Sequence, residues 1–151
     1  MNLATSIYVL GAFLAGVLIP IQTGYNAQLA KAVHAPTVSA IAVFAVGLVV
    51  LALSGVLMRV PVPSGKEAAS APLASWFAGG VLAAVYVILL IVLAPKLGAA
   101  TTVAFVVVGQ IACSMVIDHF GLLGFAQRTA GAPRVFGLVL MSAGVTLVRL
   151  F

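Results

Sequence analysis

Five apolar stretches, each about twenty residues long and almost free of charge, fill this chain and are separated by short turn-forming segments. A charge-free run of that length can cross a bilayer, whereas the core helix of a water-soluble protein seldom needs one. Hydrophobic residues make up 64% of the 151 positions and charged residues only 6%, too little polar material to cover a soluble fold. The sequence therefore predicts an all-α integral membrane protein, a single transmembrane domain over residues 1–151. Its spans are expected at about 4–30, 36–58, 72–93, 98–119 and 133–150.

The punctuation agrees with those limits. Pro36, Pro72 and Pro133 stand at span starts, where a missing N–H costs nothing. Ser64-Gly65 and Gly121 to Gly124 mark turns, and Pro95 to Gly98 makes a tight connection between the third and fourth spans. The longest polar connection, roughly Arg59 to Pro72, is too short and too rich in Pro, Gly and Ser to fold alone. The first thirty residues hold no Lys or Arg, so the first span reads as a retained helix rather than a cleaved leader.

A formal net charge of +5 is scattered over helix ends, where lipid headgroups rather than nucleic acid are the expected neighbours. The lone Cys113 permits no intramolecular disulfide and reads as a small packing residue. His34 and His119 lie at loop positions without a cluster of further ligands, so no metal site is expected. No cofactor motif and no enzyme signature is found: no phosphate loop, no HExxH and no nucleophile–base set placed in the bilayer. Trp76 suits an interface anchor.

The chemistry-bearing positions are the polar residues inside the spans. Amides in hydrocarbon cost several kcal/mol unless hydrogen-bonded and seldom face lipid. Pro20 interrupts the hydrogen-bond ladder of the first span, and a kink is expected there. Just beyond it Gln22, Tyr25 and Asn26 share one face by the i, i+3, i+4 rule. The fourth span carries Gln110, Ser114 and Asp118 at successive i+4 positions. At the helical rise of ~1.5 Å per residue, Gln22 and Gln110 fall at comparable depth near the midplane. Two readings stand: these residues line a polar substrate cavity, or they are glue between helices. For Ser114 a bond to its own helix is a further reading. Asp118, the only acid in or near a span, is either a proton-coupling group or a headgroup-level residue bonding the turn around Gly121. Gly137 and Gly144 lie seven apart on nearly one face; a lipid-facing groove or a close helix contact both fit, the contact being the preferred reading.

Five spans place the termini on opposite sides of the membrane. One side then holds Arg59, Lys66, Arg128 and Arg134, and the other Lys31, Lys96 and Arg149. Such a balance gives little direction to insertion. Either a partner or the helices themselves fix one orientation, or the chain inserts both ways and pairs with an inverted copy of itself. The second case would build ten helices with inverted-repeat symmetry, an architecture common among alternating-access transporters.

The stretch from Gly16 to Leu29, GVLIPIQTGYNAQL, resembles the first-span signature of the YdcZ-like family, five-helix members of the drug/metabolite transporter (DMT) superfamily of bacterial inner membranes. The resemblance continues through Trp76 to Gly80, Leu93 to Ala100 and Gly109 to Gly121, and covers essentially the whole chain. It implies half of a ten-helix inverted-repeat DMT-type architecture. The working unit would be an antiparallel, dual-topology homodimer in the inner membrane, with Gly137 and Gly144 at the dimer contact. The implied function is a small-molecule transporter acting by alternating access, with Gln22, Tyr25, Asn26, Gln110 and Ser114 as substrate-binding residues and Asp118 as the possible proton-coupling group. Small multidrug-resistance transporters carry a membrane-embedded Glu in the first helix. This chain has none there, which favours a neutral or zwitterionic polar solute over a strictly cationic one. The rival expectation is a non-transporting membrane subunit packed against another protein. Lipid, solute and a second copy are the expected partners.

Overall fold

The computed structural model describes residues 2–150, so the two end positions of the expected 1–151 domain lie outside it. The elements are α1 (Leu3–Ala32), α2 (Pro36–Leu57), α3 (Gly65–Ser70), α4 (Leu73–Leu97), α5 (Ala99–Phe120), a 3-10 turn at Leu122–Gly124 and α6 (Ala132–Leu150). There is no strand among the described residues. Five of the helices are long and apolar enough to cross a membrane: Thr5–Ala32, Pro36–Leu57, Leu73–Leu97, Ala99–Phe120 and Ala132–Leu150. Helices suit this chain because each satisfies its own backbone polar groups where no water is available to do so.

The ends of the spans follow from local chemistry. α1 stops at a Schellman turn: the Ala35 amide donates to the Ala30 carbonyl at 3.1 Å, the His34 amide donates to Lys31, and His34 takes φ 53. α2 ends in the same way, with Arg59 at φ 51 and the Val60 amide donating to Gly55 at 2.9 Å. Pro36 opens α2 directly after the first of these turns.

Two connections differ from the sequence reading. α4 runs through Pro95 to Leu97, so the expected four-residue link shrinks to Gly98. A proline in the last turn forfeits only one rung of the ladder, and Gly98 turns the chain at φ 84, where a side chain would be strained. The polar 59–72 segment holds a six-residue helix, α3, because Ser64 and Glu67 form a capping box. The Glu67 carboxylate accepts from the Ser64 amide at 2.7 Å and from its hydroxyl at 2.8 Å. The S-x-x-E spacing that announces this box is present in the sequence, at Ser64 and Glu67.

The chain divides into two compact units, Ile21–Lys96 and Met1–Pro20 with Leu97–Phe151, and α1 continues as a helix through Pro20, where one gives way to the other. Within Ile21–Lys96, Ala30 of α1, Ala40 of α2, and Val87 and Ile91 of α4 form the buried cluster, with Tyr86 and Ile88 against it. Ser39, fully buried, donates its hydroxyl to the Asn26 carbonyl of α1 at 2.8 Å. In the other unit, α5 packs along α6 and against the 3-10 turn.

Candidate functional site: polar positions of the spans

The polar face of α1 is divided. Thr23, Asn26 and Ala30 are buried, while Gln22 and Tyr25 are exposed, Tyr25 to 70%. The reason is angular. At 100° per residue the i, i+3, i+4 set spreads over about 100° of the helix, and the buried edge of that arc is the Asn26 side. Asn26 thus lies with the buried cluster, its carbonyl held by Ser39. Gln22 and Tyr25 present an amide and a phenol on the open side of a membrane span. The Tyr86 hydroxyl on α4 is buried and has no hydrogen-bond partner among the described residues.

On α5, Gln110 and Ser114 are both exposed, and Asp118, about 40° further round, is half-buried towards α6. Ser54, Thr102, Ser142 and Thr146 donate their hydroxyls to carbonyls of their own preceding turn or cap. Among the described residues no such bond ties Ser114 to its helix. Cys113 is exposed as well, a surface thiol rather than a core residue.

The C-terminal end of α5 and the N-terminal end of α6 are joined by the 121–131 loop, which folds back onto the last turn of α5. Gly121 enters the left-handed region at φ 62, and a Cβ there would come within 3.3 Å of the Gln127 Cβ. The Asp118 carbonyl accepts the amides of Gly121 at 3.3 Å and Arg128 at 2.7 Å. The Gln127 side-chain amide donates to the His119 carbonyl at 3.0 Å, and the Ala130 amide donates to His119 Nδ1 at 3.1 Å. Asp118 Oδ2 faces Arg134 Nη1 of α6 at 3.5 Å, with the two side chains 33% and 41% exposed. Asp118 and His119 therefore do different work: the carboxylate meets a cation on the next helix, and the imidazole holds the loop. Arg134 was not among the partners expected of Asp118. The available signal was that the only acid on a span and the only basic residue in the first turn of α6 stand at the same membrane face.

Of the small positions on α6, Gly137 is half-buried and Gly144 exposed, and a Cβ at either would meet nothing within 4 Å. Among the described residues there is no group of three or more His, Cys, Asp or Glu able to hold a metal ion.

Five apolar helices define a multi-pass membrane protein. A family model described as "Putative inner membrane exporter, YdcZ" matches residues 7–147, and the chain belongs to that DMT-type YdcZ family of inner-membrane transporters. No curated protein and no solved structure matches the chain.

Proposed function

We propose that the protein moves a small neutral or zwitterionic polar solute by alternating access, as an antiparallel, dual-topology homodimer. The observation that carries this reading is the exposure of Gln22 and Gln110 on membrane spans. An unpartnered amide in hydrocarbon costs several kcal/mol, so these faces need a polar neighbour: a second copy, a solute or water. Amides offer donors and acceptors without net charge, and Tyr25 and Ser114 add hydroxyls of both kinds. With no acid on α1, a lipophilic cation finds no counter-charge there. Gln22, Tyr25, Asn26, Gln110 and Ser114 are assigned to solute binding, and Gly144 to the helix contact between copies, while Gly137 lines a groove between α5 and α6. Asp118 is the candidate proton carrier; protonation would break its pair with Arg134, so coupling would read out as a change at that end of α5. Catalysis has no part in the proposal.

The test is a thermal-shift screen of neutral and zwitterionic solutes on detergent-purified protein, followed by liposome flux of each hit. Gln22→Ala and Gln110→Ala should each abolish flux while cross-linking still reports the dimer. Wild-type flux from the double variant would remove both amides from the mechanism. Cross-linking that finds a different protein in place of a second copy would favour the role of a non-transporting subunit.

A further inference from the structure

A cavity of about 470 Å³ runs between α5 and α6, and its mouth is the Asp118–Arg134 pair. Below the mouth its walls are Ile111 and Met115 of α5 and Gly137, Leu138 and Met141 of α6, with Ser114 the other polar member. Seven residues separate Asp118 from Ile111 and Arg134 from Met141, so at ~1.5 Å per residue the groove descends roughly 10 Å from the helix ends. Asp118 lies in the last turn of one span and Arg134 in the first turn of the next, at the level of lipid headgroups. A charged mouth over a short apolar trough has the form of an amphiphile's imprint.

The pair leaves capacity for a ligand. Arg134 Nη1 lies 3.5 Å from Asp118 Oδ2, and a guanidinium presents five donors in a planar fork. Its remaining donors suit a phosphate, and the second Asp118 oxygen is left to accept from an ammonium. The loop brings the backbone of a second basic residue, Arg128, to the same end, its amide donating to the Asp118 carbonyl at 2.7 Å. An acid and a guanidinium side by side are complementary to a headgroup that carries both a phosphate and an N–H-bearing ammonium. A neighbouring helix is a poorer occupant: the trough is only two turns long and ends in charge.

We infer that the α5–α6 groove is a binding site for one membrane phospholipid of the phosphatidylethanolamine type, its phosphate on Arg134, its ammonium on Asp118 and one acyl chain between Met115 and Met141. This inference does not depend on what the protein transports.

Native mass spectrometry of the full chain, with phosphatidylethanolamine, phosphatidylcholine, phosphatidylglycerol or inorganic phosphate added to delipidated protein, tests it. The wild type should retain phosphatidylethanolamine about tenfold more tightly than phosphatidylcholine, whose quaternary ammonium has no N–H to give. Asp118→Asn should erase that preference while binding persists. Arg134→Ala should weaken both lipids, and Arg134→Lys, which keeps the charge but loses the fork, should fall between. Gly137→Leu should exclude the chain from the groove, since the space above Gly137 is open, and the same spectra report whether the oligomer survives. Equal retention of the two zwitterionic lipids by wild type, or undiminished retention by Arg134→Ala, overturns the inference. Tighter binding of phosphatidylglycerol than of phosphatidylethanolamine would also overturn it, as would binding of phosphate alone as tightly as lipid.

Discussion

Replacing Ser39 isolates the contact that holds α2 against the Asn26 edge of α1. The side chain is fully buried and its hydroxyl donates to the Asn26 carbonyl at 2.8 Å. That carbonyl lies inside a continuous helix and keeps its own amide partner, so Ser39→Ala removes a bond without leaving an orphan. Hydrogen bonds between membrane helices average about 0.6 kcal/mol and reach about 1.7. The exchange also gains about 0.5 kcal/mol of helix propensity. The net expectation for Ser39→Ala is a loss of about 0–1 kcal/mol. Ser39→Val loses the same bond and forces branched methyls into a site with no room, which adds about 1–3 kcal/mol. The order of stability should be wild type, then Ala, then Val, measured as unfolding midpoints in mild detergent or by titration with a denaturing detergent. A Val variant as stable as wild type would refute the close approach of α1 and α2 at Ser39. An Ala variant that loses about 3 kcal/mol would show that the carbonyl depended on the hydroxyl after all.

Gly121→Ala should destabilise the α5 end by about 1–2 kcal/mol, since it adds left-handed strain and pushes on Gln127; protease nicking of the 121–131 loop would report it. His119→Ala should free the Ala130 amide and speed its hydrogen exchange, with the helical content of α5 unchanged. His34→Gly should stabilise the α1–α2 turn by up to about 1 kcal/mol in thermal unfolding, because glycine relieves the positive φ. The Ser64 hydroxyl and then the Ser64 amide, both donating to Glu67, hold its carboxyl below the ordinary range. A depressed carboxyl stabilises the folded form above its unfolded pKa and loses that effect as pH falls through the folded value. Exchange protection of the α3 amides should therefore be retained at neutral pH and lost in acid, and Glu67→Gln should abolish the dependence.

The five spans were legible from composition because a helix in lipid closes its bonds four residues apart, so a local run of apolar side chains is sufficient to specify it. Family membership was legible from the stretches Gly16 to Leu29 and Gly109 to Gly121, whose polar residues interrupt those runs and which lie within the residues 7–147 that the family model matches. What the sequence could not supply was the partner of each polar group. Gln22 and Asn26 differ little in type or spacing, yet one is exposed and the other buried, because a neighbouring helix covers only one edge of the arc they share. Asp118 read alone was an acid opposing a helix dipole; beside Arg134 it becomes half of an ion pair over an apolar trough. Pairings of that kind join residues far apart in the chain, so they exist only once the loop has folded back and set two helices side by side.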